Sequence, residues 1–75
     1  MILDIDKFLE AEYEWASMEG TYYVPCKIHG WDDKSERFAI SFFDPLMQEI
    51  DYRWTKYDTV RNWTWQYLLE NLKQN

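Results

Sequence analysis

Ile5-Asp6-Lys7-Phe8-Leu9-Glu10-Ala11-Glu12-Tyr13-Glu14-Trp15-Ala16-Ser17-Met18-Glu19 is the stretch on which the fold turns. At about 100° per residue, Ile5, Phe8, Leu9, Ala11, Trp15, Ala16 and Met18 fall on one broad arc, and Asp6, Lys7, Glu10, Glu14 and Ser17 fall opposite. The spacing predicts an amphipathic helix over 5–19, capped by Asp4 or Asp6 and stopped by Gly20. Glu12 is the exception, because its angle places it within the apolar arc.

Beyond Gly20 the pattern changes to alternation. Tyr22, Val24, Cys26 and Ile28 share one face of a strand over 21–29, with Tyr23, Pro25, Lys27 and His29 on the other. Pro25 cannot donate to a ladder, which places this strand at an edge or puts a bulge there. Residues 30–35 form a polar hairpin loop, and Phe38, Ile40 and Phe42 point inward from a second strand. Asp44-Pro45 suits either a turn or a helix start. Leu46, Met47, Ile50, Trp54 and Tyr57 would make a helical stripe, but the β-favouring run from Ile50 to Tyr57 predicts a third strand. In that register Lys27, Arg37 and Arg53 gather on the outer sheet face with His29, Tyr23 and Phe43, opposed by Glu49 and Asp51.

The last element is predicted as a helix over 60–73, capped by Asp58 or Thr59. Val60, Trp63, Trp65, Tyr67, Leu68, Leu69 and Leu72 cover most of its circumference, and Arg61 projects toward their side as Glu12 does on the first helix. An unpaired buried charge costs several kcal/mol, so the two either pair across the helices or lie at the boundary and reach water. The expected fold is therefore α+β, in α-β-β-β-α order, with a three-stranded antiparallel sheet and both helices on one face. Double-stranded RNA-binding domains share that order. The basic cluster that opens their last helix has no counterpart in Asp58-Thr59-Val60-Arg61-Asn62, which offers one cation, and direct nucleic-acid binding is not expected.

Residues 1–75 read as a single domain, with two glycines, two prolines and no repeat or linker. A chain this short buries a small fraction of its surface, and five tryptophans, six tyrosines and four phenylalanines supply the density its core needs. Cys26 stands alone, so no intrachain disulfide is possible and a reducing compartment is expected. No apolar run approaches the roughly 20 residues that span a bilayer, and Met1 to Asp6 lack the features of a signal peptide, so a cytoplasmic location without a membrane partner is expected.

The chemistry-bearing residues are few. Cys26-x-x-His29 has the spacing of half a zinc site, but a structural site needs four ligands and no other cysteine or histidine exists. A buried thiol and a surface imidazole are expected instead, without metal or cofactor. Nucleophilic catalysis needs a base held by a third group, and His29 is poorly placed for Cys26. Asp32 and Asp33 are adjacent acids of a turn, and Gly20 and Gly30 stand too far apart for a phosphate cradle. The chain is expected not to be an enzyme.

Charge is the most uneven property. Asp4, Asp6, Glu10, Glu12, Glu14 and Glu19 against Lys7 alone give residues 1–19 a charge of −5, within a chain total of −6. Such an acidic ridge steers a basic partner toward itself. The function expected is a small acidic protein-binding module, an inhibitor of the kind carried by phages or mobile elements, that blocks a nucleic-acid-binding surface through Asp6, Glu10, Glu14, Glu19, Asp32 and Asp33. The alternatives are a homo-oligomer joined through Trp31, Trp63 or Trp65, and a single-strand binder that uses the cations and rings of the outer sheet face.

Overall fold

The computed structural model describes residues 7–72. They form one five-stranded antiparallel sheet and a single short α-helix, which overturns the expected α-β-β-β-α order. The strands are β1 (Leu9–Ser17), β2 (Gly20–Asp32), β3 (Arg37–Asp44), β4 (Glu49–Lys56) and β5 (Val60–Arg61), followed by α1 (Trp65–Asn71). Strands β1 to β4 make a meander, and the chain returns through a 3-10 turn at Tyr57–Thr59 to lay β5 on the free side of β1, giving the order β4-β3-β2-β1-β5.

The first predicted helix is β1. Leu9, Ala11, Tyr13 and Trp15 alternate with Glu10, Glu12 and Glu14, so in a strand all three carboxylates leave the apolar face, whereas a helix would keep Glu12 on it. The proposed caps Asp4 and Asp6 lie outside the described residues. Gly20 takes φ 129° at the hairpin that joins β1 to β2, a conformation open to glycine, and so serves a turn rather than a helix end.

Strand β2 begins as predicted and runs further. Val24, Cys26 and Ile28 are buried on the inner face, while Tyr22 is exposed. A bulge between Ile28 and Gly30 then shifts the register, so that Trp31, at an odd position, also turns inward. The loop shrinks to residues 33–36. Pro25 is paired with Glu12 of β1 and lies just outside the segment, starting at Cys26, that β3 pairs. Strand β2 therefore has one neighbour at the proline and two beyond it, which spares the ladder a missing donor. Phe38, Ile40 and Phe42 point inward from β3 as predicted.

The third predicted strand exists as β4, with its faces exchanged. Phe42 pairs with Asp51 and Ile40 with Arg53, so Asp51, Arg53 and Thr55 share the inner side, and Ile50, Tyr52 and Trp54 face outward. The Arg53 guanidinium lies 4.8 Å from the centre of the Phe42 ring and donates to the Tyr13 hydroxyl at 3.2 Å. Asp44 settles the preceding turn, its Oδ1 accepting the Leu46 and Met47 amides at 2.8 and 3.1 Å.

The predicted C-terminal helix is divided. Val60 and Arg61 pair with Tyr13 and Glu12 of β1, and Thr64 caps α1 by accepting the Tyr67 amide at 3.1 Å. Leu68 and Leu72 close the inner face with Ile28, Phe38 and Ile40, while Leu69 stays 66% exposed. At this end of the core the rings converge on Phe38, with Tyr57 and Trp63 at 4.6 and 4.7 Å between centroids. The Tyr57 hydroxyl donates to Asp33 at 3.0 Å. Burial first, and then the Asp33 carboxylate, push its pKa up to about 12.

Leu68→Ala is expected to lower unfolding stability by about 2–5 kcal/mol through the cavity it leaves. Leu69→Ala should stay within about 0.5 kcal/mol. Urea denaturation of both variants measures the contrast, which a continuous helix over 60–73 buried around its circumference would not produce.

Candidate binding face on the outer side of the sheet

Strand β1 presents Glu10, Glu12 and Glu14 in one row on the outer face, at about 7 Å between successive side chains. The middle carboxylate is engaged. Glu12 Oε1 accepts Arg61 Nε at 3.0 Å and also the Asn62 side-chain amide, and the Arg61 guanidinium lies 3.6 Å from the centre of the Tyr23 ring. The two charges that looked anomalous on helices are thus cross-strand neighbours on β1 and β5. Both are partly exposed, so the pair contributes about 0–1 kcal/mol rather than the large term of a buried pair.

Glu10 and Glu14 are exposed, and the ion pairs among the described residues are Arg61–Glu12 and Arg53–Asp51. Lys27 stands opposite Glu10, but its Nζ lies over the Phe8 ring at 4.4 Å.

The other sequence candidates scatter. Glu19 is exposed in the β1–β2 turn, at the end of the same strand, and Asp6 lies outside the described residues. Asp32 is spent on its own turn, accepting the Lys34 amide at 3.1 Å and the Ser35 hydroxyl at 2.9 Å, while Asp33 holds Tyr57. Trp31 and Trp63 belong to the ring cluster around Phe38, and Trp65 packs on both at 5.9 and 5.1 Å while remaining 41% exposed. Trp31 is thus enclosed in the core and Trp63 partly so, while Trp65 keeps an exposed face. The cation cluster of the outer face is also dispersed, because Arg53 turns inward, Lys27 covers Phe8 and His29 is buried.

Sequence reasoning missed an apolar strip on the outer face. Phe43, Ile50, Tyr52 and Trp54 are exposed there, beside a groove of about 580 Å³ that runs from Glu10 and Glu12 to Tyr52. The signal was present in the alternation of β4, which assigns these side chains to one face without saying which.

His29 forms part of the groove wall and is buried, not the surface imidazole expected. Its Nε2 lies 2.7 Å from Ser41 Oγ. Nδ1 makes no hydrogen bond of full geometry, although the Lys7 backbone is close enough to act on the ring. Burial lowers the His29 pKa, Lys7 opposes that, and the Lys27 charge lowers it further, so the ring is neutral at pH 7. A serine–histidine contact is half of a nucleophile and its base, and among the described residues no carboxylate holds this imidazole as a triad requires.

Cys26 faces the opposite side of the sheet, with burial and then the Glu12 charge pushing its thiol up to about 12. Among the described residues, no three His, Cys, Asp or Glu side chains gather where they could hold a metal ion, and no helix is long and apolar enough to cross a membrane. Comparison of the chain with protein-family models, with curated proteins and with solved structures finds no match.

Because the folded-state pKa of His29 is depressed, the stability linked to its neutral form is present above the unfolded value of 6.5 and is lost as pH falls below it. The melting temperature should therefore drop by a few degrees between about pH 7.5 and 5.5. A His29→Gln variant should lose that part of the pH dependence. Thermal melts by circular dichroism across this window check it, and equal slopes in the two proteins would contradict it.

Proposed function

We propose that this chain is a small acidic, non-enzymatic protein-binding module that sets the outer carboxylates of β1 against a basic surface of a partner protein. The partner surface is one that otherwise binds nucleic acid, and the module acts as an inhibitor by standing in for phosphates, as small acidic proteins of phages and mobile elements do. One observation carries this. Glu10 and Glu14 are exposed on a strand paired along its length with β2 and at its centre with β5, so the backbone that presents them on the outer face is set before any partner arrives.

Three features support the proposal. The segment that holds β1 carries −5 of the chain's −6, which gives the field a direction that a partner's cations follow. Arg61 and Asn62 satisfy Glu12 and tie β1 to β5 at the middle of the row, while Glu10 and Glu14 stay exposed. The Phe43 and Tyr52 rings near the groove add apolar area beside the charges, the mixture found in protein interfaces. The chain's net charge of −6 disfavours a direct nucleic-acid ligand.

A Glu10→Gln/Glu14→Gln variant should fold as the parent does, because both side chains are exposed. Immobilised parent protein is expected to retain basic proteins from lysate at about 0.05 M salt, and to release them at about 0.5 M salt or on addition of duplex DNA. The double variant should retain them at least tenfold less, on the order of the loss of two charge contacts. Retention that is equal in both proteins and indifferent to salt would overturn the proposal.

A further inference from the structure

Among the described residues strand β4 is an open edge of the sheet, eight residues long, without proline and without a shift in its register against β3. Its outward side chains Ile50, Tyr52 and Trp54 are 56, 59 and 43% exposed. Long, regular edges are ones that proteins ordinarily shorten, bulge, cover or charge, and the inward charges of this one, Asp51 and Arg53, are of opposite sign. At its centre the edge carries a removable cover. The Tyr52 amide donates to Asp51 Oδ1 at 2.9 Å and so is directed away from β3, while Asp51 Oδ2 accepts Arg53 at 2.7 Å.

We propose that the β4 edge pairs antiparallel with β4 of a second copy of this chain, about a two-fold axis at Tyr52. An antiparallel pair sets residues of the same sheet face opposite one another, so the axis passes through a residue facing itself. With the axis at Tyr52, Asp51 meets Arg53 of the second copy and Arg53 meets its Asp51, while Ile50 meets Trp54 on the outer face, each twice. The neighbouring registers fail. An axis at Arg53 sets Arg53 against itself, and one at Asp51 sets two carboxylates against each other, the like-charge oppositions that destabilise a ladder.

Pairing exchanges contacts without stranding any. The Tyr52 amide passes from Asp51 to a carbonyl of the second copy, and the freed carboxylate passes to the second copy's Arg53. A second copy fits this edge because the charges complement themselves under the symmetry, which an unrelated strand has no reason to match. Three strands separate β4 from β5, and two separate it from β1, so the acidic row remains open in the dimer. The dimer is independent of the proposed inhibition.

Sedimentation equilibrium of the full chain tests the pairing. The parent is expected to pass from monomer to dimer between about 1 μM and 1 mM, the range of small interfaces. Asp51→Arg and Arg53→Asp should each weaken self-association by about tenfold or more, since each places like charges opposite one another twice. An equimolar mixture of the two variants restores both oppositions and should associate as the parent does. Arg53 also covers Phe42, so Tyr52→Pro serves as the second variant: it deletes an edge donor that β3 does not use, and is expected to be folded and monomeric. A parent that stays monomeric throughout, a mixture that fails to associate while both variants are folded, or a Tyr52→Pro chain that still dimerises would overturn the proposal.

Discussion

The pairing of β1 with β5 is the constraint on which the rest of the structure depends. The apolar inner face of a single sheet must be covered, and among the described residues the cover is α1 and the residues just before it. Two residue pairs, Glu12 with Arg61 and Tyr13 with Val60, bring the returning chain onto the free side of β1. From that point Trp63, Leu68 and Leu72 are carried over the inner face, where Phe38 and Ile28 become inaccessible to water. The interaction is small in energy and large in consequence, because it fixes where the covering segment starts.

The same arrangement accounts for the distribution of charge. On a strand, residues two apart share a face, so the glutamates of β1 stand in a row on the side away from the core. The carboxylate that faces β5 is neutralised by Arg61, and those to either side of it are not. On the inner side, Arg53 is partly desolvated against rings and is held by the Tyr13 hydroxyl and by Asp51. Lys27, Arg53 and Arg61 are thus engaged within the chain, whereas Glu10 and Glu14 stay exposed.

Strand β4 shows how one face assignment alters a functional picture. If Ile50, Tyr52 and Trp54 pointed inward, Glu49, Asp51 and Arg53 would join the outer face as a patch of mixed charge. Their actual outward direction makes it an apolar strip ending in an open edge. The period of two is visible in the residues themselves, but its phase relative to the core depends on which partner strand lies beside it and in which register.

Much of the local structure was legible from the chain alone. The alternation of Val24, Cys26 and Ile28 and the inward set Phe38, Ile40 and Phe42 follow from residue chemistry that acts over a few positions, whereas Asp44-Pro45 suited a turn and a helix start equally. So did the concentration of acid before Gly20 and the need for Glu12 and Arg61 to find a common explanation. The N-terminal stretch satisfied a helical arc except at Glu12, whereas residues 9–15 satisfy strand alternation without exception. That single misfit was the readable sign of the correct structure. What only the tertiary structure decided was the identity of β1 and β5, the facing of β4 and the burial of His29. Each depends on contacts between residues far apart in the chain: the energy that makes a segment a strand rather than a helix is supplied by the neighbour it pairs with, and no local spacing encodes that neighbour.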